Sequence, residues 1–210
     1  MINIGVQYLS YNEIAKKAER FLNDNSVKSI PVPIEEIIDL QYGIDIIPIP
    51  DLSKQCGVDG FIYSDFSGIC VDDFVFQNRI YRYRFTLAHE IAHLILHKDY
   101  LRSCNFKNID QWKLSHKGID ESDYNKMEYQ GYSFGGLILV PRSTLEAQVK
   151  KHLPKIIPEI EKAKKKGVDR LVYLNYALDE LATILSPVFE VSTDVLIRRI
   201  QYDNLEHFIP

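Results

Sequence analysis

Two histidines four residues apart, with a glutamate directly after the first, form the segment His89-Glu90-Ile91-Ala92-His93. On an α-helix a four-residue step turns roughly 400° and rises about 6 Å, so both imidazoles share one face. Two nitrogens so placed can meet one zinc ion at about 2.0–2.1 Å each. Glu90 stands about 100° round from His89. There its carboxylate reaches a water on the metal without itself becoming a ligand, which is the station of a general base. Three fixed positions recur by chance in roughly one chain in a hundred of this composition, so the surroundings decide. Phe85, Leu87, Ala88, Ile91, Ala92, Leu94, Ile95 and Leu96 are apolar on almost every side of the helix, the mark of a buried element. Two histidines and a carboxylate buried without partners would cost several kcal/mol, a cost that a metal removes. The competing view is a core helix whose histidines bond to backbone; the metal explains more of the pattern.

Two histidines leave a zinc site incomplete. A metzincin would place Gly at the sixth residue after Glu90 and His at the ninth; Leu96 and Asp99 stand there, which excludes that class. The other common solution is a glutamate from a later helix, with water in the fourth place. Glu128 fits best. At helical spacing it shares a face with Gly131, Tyr132 and Gly135. Glycine inside a helix costs about 1 kcal/mol, so two on the glutamate's face imply the close approach of a neighbouring backbone. Glu121, Asp120, Asp123, Asp110 and His116 are rivals in a polar, loop-like stretch, and they stay open on these grounds.

The segment Arg84-Phe-Thr-Leu-Ala-His-Glu-Ile-Ala-His93, followed by a glutamate opening a helix that ends in Ile138-Leu-Val-Pro141, resembles the ImmA/IrrE family of metallo-endopeptidases. The resemblance spans roughly residues 30–142. It implies a zincin-like fold, Zn2+ held by His89, His93 and Glu128, and Glu90 as catalytic base. By the same resemblance the substrate is a helix-turn-helix transcriptional repressor, cut to relieve repression. This chain has Gly131 and Gly135 where the family pattern usually has alanine, so small residues persist.

The elements around the motif read as follows. Ser10 and Glu13 form a capping box for a helix over 10–23, with Ile14, Ala18, Phe21 and Leu22 as its apolar stripe. Pro31 and Pro33 precede a second helix, Ile34–Tyr42, ended by Gly43. Residues 44–49, 60–63 and 68–72 read as strands, with Pro48 favouring an edge. The fold class expected is therefore α+β, a small mixed sheet against a buried motif helix. In zincin-like folds such a sheet offers an edge strand to an extended peptide, here by analogy. Arg79-Ile-Tyr-Arg-Tyr-Arg84 leads into the motif helix, either as a donor beside the site or, more in keeping with charge runs generally, as a solvated face. Tyr129 and Tyr132 flank Glu128, but neither stands out among thirteen tyrosines. Between His97 and Asp123 the periodicity dissolves into an expected loop, pinned by Trp112 or serving as a lid.

Three segments are expected: an N-terminal helix in 1–30, a peptidase core in 31–142, and a helical, helix-turn-helix-like segment in 143–210. In the last, residues 150–170 carry eight Lys/Arg against three Asp/Glu. Without interleaved aromatics, and in a chain of net charge −4, this reads as a solvated helix more readily than a nucleic-acid surface; direct nucleic-acid binding through 150–210 is the lesser expectation. No apolar run approaches the roughly 18–20 residues of a membrane span, no secretory signal opens the chain, and three scattered cysteines fit a reducing cytoplasm. An enzyme, a metal-binding regulator that does not cut, and a DNA-binding regulator are the function classes left.

Overall fold

The computed structural model describes residues 5–210. The chain forms two compact units, residues up to Lys28 with Pro33–Ile138, and Ser29–Val32 with Leu139–Pro210. The fold is α+β, mostly helical with one small sheet.

In the first unit, helix α1 (Tyr11–Asp24) starts at the Ser10–Glu13 capping box and buries Ile14, Ala18 and Phe21. Helix α2 (Ile34–Glu36) passes into a π-helical turn, Ile37–Gln41, before Gly43 takes a left-handed φ of 62°. Strand β1 (Asp45–Ile49), the short helix α3 (Leu52–Cys56) and strands β2 (Gly60–Ile62) and β3 (Gly68–Asp72) follow. The sheet order is β1-β3-β2, with β1 parallel and β2 antiparallel to β3. Pro48 therefore sits on an edge strand, where its missing N–H is harmless. Every residue of β2 and β3 is buried.

Helix α4 (Asp73–Asn78) leads into α5 (Ile80–Leu96), the motif helix, which packs on β2 and β3. From Tyr83 to His93 only Phe85 escapes full burial. The stretch expected as a loop is instead helical: α6 (Lys98–Cys104) and α7 (Ile109–Lys117). Each buries a single side chain, Leu101 and Trp112, too few to leave a periodic signal. The Trp112 indole stacks on Phe61 of β2 at 4.8 Å. Helix α8 (Glu121–Leu139) begins two turns before Glu128 rather than at it, because the Asp120 carboxylate accepts from the backbone N–H groups of Ser122 and Asp123.

The second unit comprises α9 (Arg142–His152), α10 (Ile157–Lys165), α11 (Arg170–Phe189) and α12 (Thr193–Tyr202). Helix α11 runs through Pro187. In the last turn a proline removes one backbone bond, and the full burial of Leu185 and Phe189 offsets it. Ser192 caps α12, its side chain accepting from the Val195 N–H. Arg199 is buried and bonded to Asp203 at 2.6 Å, so of the two arginines on α12 only Arg198 is exposed.

Candidate metal centre

Helix α5 presents His89 and His93 with their Nε2 atoms 3.0 Å apart. Two nitrogens held tetrahedrally at about 2.05 Å from one ion would stand about 3.3 Å apart, close to the separation found here. Helix α8 brings a carboxylate beside His89: Glu128 Oε2 lies 3.7 Å from His89 Nε2, and its side chain remains partly exposed. Two imidazoles and a carboxylate are the donor set zinc prefers when it keeps an open position. The residues fit the ion.

The reason α8 comes so close is written in its glycines. A Cβ at Gly131 would sit 2.7 Å from His89 Cε1 and 3.0 Å from Nδ1; one at Gly135 would sit 3.3 Å from the backbone of Ala88 and His89. Any larger residue at 131 would displace the imidazole itself.

Glu90 is held differently. Its Oε2 accepts from the Ile62 N–H at 2.9 Å. Tyr63 N–H and Asp59 C=O bond toward β3, so Ile62 faces the opposite, outer edge of β2, and that edge donor is already taken by Glu90. Glu90 is also within metal-ligand range: its carboxylate and the two imidazoles have ligand atoms within 4.8 Å of one another. Two carboxylates thus compete for the ion. Burial drives the Glu90 pKa up to about 7, with the Glu128 charge adding and His89 and the Ile62 N–H opposing. Tethered to backbone through Oε2, Glu90 is held in place beside the two imidazoles.

The imidazoles differ in their charge state. Burial holds His93 well below its usual pKa, with His89 and His97 repelling a proton further. At His89 burial acts in the same sense but is outweighed by the bond to Glu128 and the Glu90 charge, and its pKa is raised. The rivals for third ligand are engaged elsewhere: His116 stacks on Trp112, Asp123 pairs with Lys126, and Asp120 caps α8. Glu121 and Asp110 are first-turn residues of α8 and α7, both exposed. Arg82 pairs with Asp59, the surface role that charge runs usually have. Tyr132 rests edge-on against His89 at 4.7 Å.

Sequence reasoning passed over two buried residues, His97 and Gln130. His97 Nδ1 lies 2.9 Å from His93 Nδ1, and its Nε2 lies 3.1 Å from Gln130 Oε1. The signal was there: positions 89, 93 and 97 repeat at four-residue spacing on one helix face.

No curated protein matches the chain. Among solved structures it is similar to a Mycobacterium tuberculosis transcriptional regulator, at 14% identity and a TM-score of 0.54, covering 92% of this chain. The chain spans 56% of that protein's length, and at this identity the likeness speaks for the fold. Residues 77–201, which include both α5 and α8, match the sequence model described as IrrE N-terminal-like domain. More than half of the sequence lies within that match, and the chain belongs to the IrrE N-terminal-like peptidase family.

Proposed function

We propose that the protein is a zinc-dependent endopeptidase acting in the cytoplasm on a helix-turn-helix transcriptional repressor. The observation that carries the reading is the facing pair His89 Nε2 and His93 Nε2, with the buried Glu90 carboxylate within ligand range of both and a Glu128 oxygen 3.7 Å from His89 Nε2. His89, His93 and Glu128 would hold the ion. Bound zinc supplies Lewis acidity, polarising the scissile carbonyl and lowering the pKa of water to about 7. Glu90, tethered by Ile62, takes a proton from the attacking water and passes it to the departing amine nitrogen as the C–N bond breaks. The surrounding apolar faces of α5 and β2 exclude bulk water and hold that carboxylate basic.

The repressor as substrate follows from the resemblance carried by Arg84–His93 and the Glu128 helix. A cytoplasmic location is supported by three free cysteines; among the described residues no helix is long and apolar enough to cross a membrane. The test compares new protein N-termini in cells expressing wild type or Glu90→Gln. A helix-turn-helix repressor cut only by wild type is expected. Identical N-terminal profiles, with zinc bound by both proteins, would instead identify a metal-binding module that does not cut.

A further inference from the structure

We infer that His97 and Gln130 are positioning residues that fix the tautomer of His93 and so present its Nε2 lone pair to the metal. The inference rests on the metal-site reading above and adds the device that orients one of its ligands.

The relay begins at a group with no choice of role. The backbone oxygen of Gln7 can only accept, and Gln130 Nε2 donates to it at 2.9 Å. The other end of that amide, Oε1, therefore faces His97 Nε2 at 3.1 Å. An amide oxygen also only accepts, so the proton of His97 sits on Nε2. A neutral imidazole protonated there is bare at Nδ1, and this atom lies 2.9 Å from His93 Nδ1. His93 must then donate from Nδ1 and be bare at Nε2, the atom 3.0 Å from His89 Nε2. Each proton position follows from the one before it.

Burial keeps the relay in this state. Gln130 is fully buried and His97 and His93 are 5% and 6% exposed. The far end is anchored by three consecutive residues laid along α8. Val6 N–H bonds the Asp123 carboxylate, Gln7 receives Gln130, and the Tyr8 ring stacks on Tyr129 at 6.2 Å. His89 has no counterpart, since its Nδ1 is buried and unpartnered. One ligand is thus delivered in its binding tautomer and the other is free to adopt it.

Outer partners of this kind typically change metal affinity 10–100-fold when removed. The test uses the full-length protein with Gln130→Leu, Gln130→Glu, His97→Leu and a variant lacking residues 1–8. Zinc affinity is read by chelator competition, and imidazole nitrogen shifts are read by NMR at pH 8 on metal-free protein. Gln130→Leu and His97→Leu should weaken zinc by about 10-fold or more, and loss of residues 1–8 should weaken it in the same direction. Gln130→Glu, whose buried protonated acid accepts from His97 and donates to Gln7, should stay within about threefold of wild type. A role in packing alone predicts the opposite order, with leucine tolerated and the buried acid harmful. In wild type the shifts should show His93 protonated at Nδ1 and His97 at Nε2. The reverse pattern, or equal zinc affinity across folded variants, overturns the relay. Failure of wild type to bind zinc would overturn the peptidase reading, while the nitrogen shifts would still decide the tautomers.

Discussion

Glu90→Gln separates what the buried carboxylate does for catalysis from what it costs the fold. Glu90 is 6% exposed, and burial lifts its pKa from 4.5 to about 7. Between those values the folded state holds a proton that the unfolded state has released, so stability falls as pH rises from 4.5 to 7 and stays low above. At 1.36 kcal/mol per unit the full penalty is about 3 kcal/mol above pH 7, and under about 1 kcal/mol at pH 5. Glutamine keeps an oxygen for the Ile62 N–H and never ionises. Its buried NH2 can cost about 1 kcal/mol or more, but that cost does not vary with pH. In urea unfolding with chelator present, the variant should therefore gain on wild type by roughly 2–3 kcal/mol between pH 5 and pH 8.5. The same change should retain zinc and lower kcat by about 10²–10⁴-fold. A stability gap that stays flat across this range would refute the account of Glu90 as a desolvated base.

Further outcomes follow from the same geometry. Glu128→Ala should abolish stoichiometric zinc by elemental analysis, and a variant that still carried zinc would hand the third place to Glu90. Gly131→Ala forces a Cβ to within 2.7 Å of the His89 ring and should weaken zinc about tenfold through the displaced ligand, on the scale of a roughly 1 Å misplacement. Gly135→Ala meets backbone at 3.3 Å and should change zinc affinity far less, its strain offset by about 1 kcal/mol of helix propensity; chelator competition on both checks the order. In the C-terminal unit, Asp203→Ala removes a 2.6 Å partner of the buried Arg199 and should cost about 2–3 kcal/mol in thermal or urea unfolding, whereas Arg198→Ala, on the exposed side of α12, should stay within about 0.5 kcal/mol.

The legible parts of the fold were those where one face repeats. Ile14, Ala18 and Phe21 mark α1, and the capping box marks its start to the residue. Helices α6 and α7 were hidden because each is anchored by a single large side chain, and a lone Leu101 or Trp112 has no period. The π-helical turn at Ile37–Gln41 changes backbone register without changing which residues are apolar, so composition cannot announce it. Pro187 lies inside α11: position within the last turn, rather than residue type, decides what a proline breaks.

At the site, the two glycines of α8 told more than the acidic residues did. Seven carboxylates and histidines were available as third ligand by chemistry alone, counting Glu128 with Glu121, Asp120, Asp123, Asp110, His116 and Glu90. Only Gly131 and Gly135 carried information about distance, because a helix pays for them unless another surface needs the room. That surface is the His89 ring and the backbone beside it. The relay through His97 and Gln130 was harder to see for the same physical reason that makes it effective. Its proton positions are dictated by a backbone carbonyl at Gln7, and a backbone carbonyl has no residue type to read. A metal site whose second layer ends on the main chain is therefore specified by the fold of the N-terminal segment. Substitutions that loosen residues 6–8 from α8 should consequently reach zinc affinity without touching a ligand.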